Sequence, residues 1–374
     1  MISKPTILFV STVSTPRNGV GQIVRALADA CEKEDMRSVV FTGRGQSGDA
    51  DFVSNGRTGF YRNVFMARFL KQDGFMDVAS ARRLNERILE LKPDLVHLHN
   101  LHGYYTHLPS LGETLDKLDV PVIVTLHDLW FATGRCAWPW CGDPEYCTAD
   151  CSQCKFPNSY PAKWLPGRSM RKDKEEFLQG KHVVVPSRWM FERLEKHTPV
   201  IIPNGVDKLI FKPYENVRRD SSMLLAVATK WNHTKGIEDI AELAQVLPEE
   251  LKIVLVGNNA LHHPRIKSLG YIDDARKIAQ LMAQSRAVLS ASHHEAFGMT
   301  VAEALATQTP VIARAGTAAA ELISDKRFAV DFMHPQSVVK AIMNTDSYMF
   351  GENVISTREM TQKYIGLYKK LLGI

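Results

Sequence analysis

The chain has 374 residues, 45% of them apolar, 23% charged and 9% aromatic, an ordinary globular composition that excludes a disordered or fibrous protein. At ~150 residues per domain, its length suggests two domains. The formal charge of +5, from 46 Lys+Arg against 41 Asp+Glu, is too mild to call for nucleic acid and suits anionic small substrates or a membrane surface.

In chain order, residues 6–12 predict a strand and residues 21–34 a helix, with Ile23, Leu27 and Cys31 at near-helical spacing. A second strand is expected over 38–43, then a helix over 79–91 that Pro93 ends. Buried strands follow at 95–100, 121–126 and 182–186, the last leading into a serine-capped helix over 187–196. Pro203-Asn204-Gly205 reads as a linker, after which the alternation restarts. Strands are expected at 223–229, 251–257, 266–272, 287–292 and 310–315, with helices at 236–246, 275–284, 300–307 and 318–323. A final helix over 357–372 places Met360, Tyr364, Tyr368 and Leu371 on one face. Such alternation needs crossover connections, so an α/β fold of two parallel-sheet domains facing a cleft is predicted. Ligands of this architecture bind at the carboxyl ends of the strands. No apolar run approaches the ~20 residues of a bilayer span, and the first ten residues lack a secretory signal's length and cleavage site. A cytoplasmic chain is expected.

Three motifs carry chemistry. The strongest is Glu295-Ala-Phe-Gly-Met-Thr-Val-Ala-Glu303, directly after a predicted strand. Strand, glycine-containing loop, then helix is the geometry that presents free backbone amides to an anion. One carboxylate can accept sugar hydroxyls and the other ribose hydroxyls, with a diphosphate between. An isolated pair of this spacing is ordinarily two solvated glutamates, but the position between a buried strand and a helix speaks against that. The second motif is Lys230-Trp-Asn-His-Thr-Lys235-Gly236, again at a strand's end. Its two ammonium groups suit a diphosphate clamp, although two exposed lysines would be the ordinary reading. The third, Asn18-Gly-Val-Gly21-Gln22, is a glycine turn after the first strand and lacks the third glycine of a dinucleotide fingerprint.

Together with Ile202-Pro-Asn-Gly-Val-Asp207 and Leu126-His-Asp-Leu-Trp130, these motifs resemble a GT-B glycosyltransferase of family 4, the retaining, metal-independent class that uses nucleotide-sugar donors. The resemblance runs from the first strand to the last helix. Within the family, His97-Leu-His-Asn-Leu-His102-Gly-Tyr-Tyr and the cysteines after His127 resemble the colanic-acid and exopolysaccharide branch. The resemblance implies two Rossmann-like domains: residues 1–202 for the acceptor, completed by a C-terminal helix over 357–374, and residues 203–356 for the nucleotide sugar. It implies that Lys230 and Lys235 hold the donor phosphates, Glu303 the ribose and Glu295 a sugar hydroxyl. The backbone at Phe297, Gly298, Met299 and Thr300 would contact sugar and phosphate, His127 would face the transferred sugar, and Gly19 and Gly21 would close over the phosphates. Two positions depart from the pattern: the first basic site, often arginine in relatives, is Lys230, and the glycine loop reads NGVG. The implied activity is transfer of a hexose to a saccharide acceptor, lipid-linked, in surface polysaccharide biosynthesis, with no catalytic cofactor.

Five of the six cysteines crowd into residues 136–154, enough for a structural zinc site of four thiolates. By the relatives' cysteine pattern the ligands would be Cys136, Cys141, Cys151 and Cys154; small buried thiols or one disulfide are the competing reading. Beyond them, Lys163, Arg168, Arg171, Lys172 and Lys174 alternate with Trp164, Leu165 and Met170. This run reads either as a surface for anionic lipid at the inner face of the cell membrane or as a solvated helix face. His97, His99, His102 and His107 suggest a metal less than buried, hydrogen-bonded or cleft-lining side chains. Two rival functions fit the same architecture: a non-hydrolysing sugar-nucleotide epimerase and a catalytically silent scaffold using the cysteine loop. A dinucleotide oxidoreductase fits less well, because its third glycine and acidic ribose residue are not in place.

Overall fold

The computed structural model describes residues 4–15, 19–45, 50–54, 61–65, 73–75, 78–138, 151, 160–161, 169–258, 261–351 and 353–374. The chain divides into two compact units. The first comprises residues 1–186, 190–202 and 361–374, and the second residues 187–189 and 203–360.

The first unit is built on a seven-stranded sheet in the order β3-β2-β1-β4-β5-β6-β7. Its strands are β1 (Thr6–Ser11), β2 (Arg37–Thr42), β3 (Phe52–Val53), β4 (Leu95–His99), β5 (Val122–Thr125), β6 (His182–Val185) and β7 (Val200–Ile201). All pairs are parallel, so each connection must cross over a sheet face. Helix Gly19–Lys33 makes the first crossover and buries Gly21, Ile23, Val24, Leu27, Ala28 and Cys31, the stripe its period requires. It begins two residues before the predicted start.

Helix Leu108–Leu118 was not among the predicted elements. Its cap is His107, whose side chain accepts from the Ser110 amide at 3.3 Å, and a proline occupies its first turn. The predicted helix over 187–196 breaks into Arg188–Glu192 and a 3-10 turn, Glu195–His197. The unit is closed by the chain's last segment. Tyr364 and Tyr368 of helix Thr357–Leu372 are fully buried, and Tyr368 Oη sits 2.7 Å from His97 Nδ1. The other nitrogen of His97 lies 2.7 Å from Thr125 Oγ1, which in turn is 3.1 Å from Tyr364 Oη. A buried histidine on β4 is thereby satisfied at both ring nitrogens, as a polar group removed from water needs to be.

The second unit repeats the plan with a six-stranded sheet, β10-β9-β8-β11-β12-β13. These are β8 (Asp220–Lys230), β9 (Lys252–Asn258), β10 (Ile266–Gly270), β11 (Ser285–Ser290), β12 (Val311–Arg314) and β13 (Ala329–Val330), again parallel throughout. The near-continuous apolar runs of β8, β9 and β11 are buried on both faces, as a parallel sheet demands. Helices Ile237–Val246, Ala275–Gln284, Met299–Ala306 and Pro335–Met343 cover them with Ile240, Leu243, Met282, Val301, Leu305 and Ile342. Strand order reverses at β1/β4 in the first sheet and at β8/β11 in the second, the places where loops part and leave room for a ligand.

Candidate functional site

The reversal in the second sheet is flanked by the loops after β8 and β11, and both predicted motifs lie there. Strand β8 ends on Lys230, which is exposed. Trp231 turns inward: its amide donates to the Asn258 carbonyl at 2.8 Å and its Nε1 to the Val256 carbonyl at 2.9 Å. A 3-10 turn, His233–Lys235, follows, with Asn232 Oδ1 accepting from the Lys235 amide at 3.1 Å. Gly236 leaves that turn at φ +70°, and a Cβ there would run into the Ala291 carbonyl of the neighbouring loop. Only glycine tolerates both conditions.

The loop after β11 is fastened to the loop after β8. The His293 amide donates to the Thr234 carbonyl at 2.9 Å, and Lys235 Nζ lies 2.6 Å from Glu295 Oε1. Ala296 and Phe297 are buried. Gly298, at φ +95°, is the cap of helix Met299–Ala306, and a Cβ on it would stand 2.7 Å from Ala319 Cβ. The first intrahelical bond is from the Ala302 amide to the Gly298 carbonyl, 3.0 Å, so the amides of Met299 and Thr300 precede the helical ladder. That end of the helix carries the positive pole of its dipole and suits an anion. Glu303 lies on the same helix, half-buried, with its carboxyl pushed up to about 8 by desolvation.

Two residues that the sequence analysis passed over hold this platform from behind. Arg314, at the end of β12, places Nη2 2.6 Å from Asp239 Oδ2 and donates from Nε to the Ala291 carbonyl at 2.9 Å. His293 Nε2 lies 3.0 Å from the same Asp239 oxygen, and its ring stacks on that of His233 at 4.9 Å. Burial would raise the Asp239 carboxyl, but His293 and Arg314 outweigh it and hold the group below its ordinary value. The available signal was a lone charge closing an apolar strand, Val311-Ile-Ala-Arg314.

The remaining predicted residues belong to the first unit. His127 follows β5, half-buried, with Nε2 2.9 Å from Nδ1 of His99, which is fully buried on β4. Burial lowers His127 to about 4. The next residue, Asp128, accepts from His102 Nε2 at 2.6 Å and from the Trp130 amide at 2.9 Å, which fixes the turn that carries His127. Gly19 is exposed at the start of its helix; Gly21 is buried, and a Cβ on it would meet the Thr15 carbonyl, so its smallness serves helix–loop packing. Asn18 lies outside the described residues.

Among the expected zinc ligands, Cys141 and Cys154 lie outside the described residues, while Cys136 and Cys151 are half-buried and both act electrostatically on Lys174. The basic run does not form one exposed face: Lys174 and Met170 are buried. The Lys174 ammonium donates to the Trp130 carbonyl and stands 4.5 Å from that indole's centre, and desolvation lowers it to about 7. Lys163, Trp164, Leu165 and Arg168 are outside the described residues. Among the described residues no helix is long and apolar enough to cross a membrane.

Comparison with known proteins agrees with this architecture. The sequence profile of Glycosyltransferase Family 4 matches residues 17–208, and that of Glycosyl transferases group 1 matches residues 222–345. The chain is 24% identical over 350 residues to the putative colanic acid biosynthesis glycosyl transferase WcaC of Escherichia coli K12, covering 83% of this chain and 84% of that protein. Sucrose-phosphate synthase from Thermosynechococcus elongatus has a similar fold, with a TM-score of 0.68 at 16% identity over 99% of this chain and 100% of that one. Anabaena HepE, solved with UDP-glucose, gives 0.65 at 14% identity over 98% and 99%. Two all-parallel Rossmann-like domains in tandem are the GT-B fold, and with the profile match over half the sequence the chain belongs to glycosyltransferase family 4.

Proposed function

We propose that the protein transfers a hexose from a nucleotide-diphosphate sugar to a saccharide acceptor, with retained anomeric configuration, in building a surface polysaccharide. The observation that carries this reading is the pair of fastened loops at the β8/β11 reversal, where Lys235 meets Glu295 beside the amide-bearing end of helix Met299–Ala306. Lys230, Lys235 and those amides would neutralise the diphosphate as its bond to the anomeric carbon breaks. Glu303 would take the ribose hydroxyls and Glu295 a hydroxyl of the sugar. The acceptor oxygen forms its bond on the face the phosphate leaves, and its proton passes to the departing phosphate oxygen. No facing carboxylate pair is required, in contrast to glycosidases. The protein's work is positioning and charge stabilisation, with His127 as a contact to the transferred sugar.

Similarity to WcaC supports the polysaccharide assignment and, through it, a lipid-linked acceptor met at the inner membrane face. HepE's complex makes UDP-glucose the first donor to try. We also propose that Cys136, Cys141, Cys151 and Cys154 hold a structural zinc, which metal analysis of the purified protein tests. For the activity, a thermal-shift panel of UDP-, GDP-, ADP- and TDP-sugars finds the donor, since a bound ligand raises apparent stability with its affinity. Proton NMR of the product then gives the anomeric configuration. An inverted product would refute retention, and turnover without any acceptor would point to an epimerase. Sedimentation with anionic vesicles tests the membrane contact.

A further inference from the structure

His99 and His127 form a pair whose hydrogen bonding is asymmetric. Their rings are nearly coplanar, 14° apart, with centroids separated by 5.2 Å. That distance is what two ring radii and one N···N contact make, so the rings lie side by side and share a hydrogen bond, 2.9 Å from His99 Nδ1 to His127 Nε2. One of those two nitrogens carries the proton. The other nitrogen of His99, Nε2, is buried with no hydrogen-bond partner among the described residues; the ring's centroid lies 6.3 Å from that of Phe9 and 4.0 Å from that of His97.

That asymmetry selects a tautomer. A neutral imidazole has one N–H and one lone pair. Were His127 the donor, His99 would carry its proton on Nε2, and a buried N–H would be left with no acceptor among the described residues. With His99 the donor, only a lone pair is stranded. Orphaned buried N–H groups are the rarer and costlier case. We infer that His99 is a positioning residue that donates to His127 and locks it in the Nδ1–H tautomer, so that His127 offers its surroundings a hydrogen-bond donor instead of a base's lone pair.

This deepens the reading of His127 as a contact to the transferred sugar and rests on that reading only for its use. A neutral donor can hold a sugar hydroxyl without placing a positive charge beside an anomeric carbon that becomes cationic. Burial, which keeps both imidazoles neutral near pH 7, serves the same end. The ring nitrogen of His127 that would act as a base is occupied by His99.

The test is the nitrogen spectrum of the full chain labelled with 15N-histidine, read through long-range proton–nitrogen couplings at pH 7.5 without ligand. His127, assigned by its loss in His127→Gln, should show a protonated-type Nδ1 and an unprotonated-type Nε2. In His99→Phe that pattern should collapse toward the Nε2–H tautomer or a mixture, and in His99→Asn, whose amide can replace the donor, it should persist. A wild-type His127 protonated at Nε2 overturns the inference even if neither His99 variant folds, as does a pattern indifferent to His99→Phe. None of these readouts depends on turnover, so failure of the proposed transferase activity would leave the tautomer assignment standing, and the reverse.

Discussion

The ammonium of Lys235 and the carboxylate of Glu295, 60 residues apart in sequence, meet at 2.6 Å and tie the loop after β8 to the loop after β11. The contact is partly open, with side chains 35% and 19% exposed, and a pair so placed contributes at most ~1 kcal/mol to stability. Its worth should appear in catalysis instead. Lys235→Ala is expected to lower kcat/KM by about 100- to 1000-fold, the scale for removing one group that stabilises developing charge. Thermal denaturation should move by only a few degrees. An equal collapse of melting temperature and activity would show that the lysine is structural.

Gly236 is where the two loops touch most closely. Its φ of +70° and the nearby Ala291 carbonyl leave no room for a methyl group. Gly236→Ala should therefore destabilise the protein by about 1–3 kcal/mol, measured by urea denaturation. Gly19→Ala, with nothing within 4 Å of the added atom, should be near neutral and serves as the comparison.

Glu303 makes stability depend on pH in an unusual direction. Desolvation raises its carboxyl from 4.5 to about 8, so between those values the folded chain holds a proton that the unfolded chain has released. Stability from this group is complete below pH 4.5 and is lost as pH rises through 8. Melting temperatures of the wild type and Glu303→Gln should diverge in favour of the variant as pH goes from 5 to 8.5. Parallel curves would show the carboxylate charged throughout.

The buried pair His102–Asp128 titrates with the opposite signs at its two ends. Burial alone would lower His102, but Asp128's charge and hydrogen bond, with Asp73, raise it above 6.5. Asp128, for which burial works the other way, is held below 3.8 by His102 and the Trp130 amide. The pair's contribution is present between about pH 4 and 6.5, fading as pH rises through the histidine's folded value or falls through the aspartate's. Asp128→Ala leaves His102 and the Trp130 amide without their acceptor, and should cost about 3–5 kcal/mol near pH 6. The deficit, read from denaturation curves, should narrow toward pH 9.

Tyr368→Phe removes one hydroxyl from the His97 nitrogen it faces at 2.7 Å and creates almost no cavity. A loss of about 1–3 kcal/mol is expected, the penalty of an unsatisfied buried partner, again by chemical denaturation.

Most strands were legible because a parallel sheet buries both faces, and runs such as Leu224–Ala226 or Ile253–Val256 announce that without help from periodicity. What escaped was set by neighbours. Helix Leu108–Leu118 starts on a histidine cap, a residue that seldom signals a helix start. Strands β3, β7 and β13 are two residues each and exist only because a longer strand lies beside them. At the candidate site, both motifs could be read as separate strand-end loops, since glycines, lysines and glutamates mark them. That Lys235 should face Glu295, or that Arg314 and Asp239 should brace the loops, depends on which strands become adjacent, and the chain order does not state it.

The first sheet is completed from far away. His97 is satisfied by a tyrosine 271 positions later, and residues 361–374 join the first unit after the whole second unit has been translated. A chain emerging from the ribosome thus carries an N-terminal half whose buried imidazole has Thr125 but lacks its second partner until the closing helix arrives. Tertiary consolidation of the leading half should lag its own synthesis by the time needed to make the trailing one, and a nascent product stalled before Tyr364 would remain open to proteases at the β4 flank.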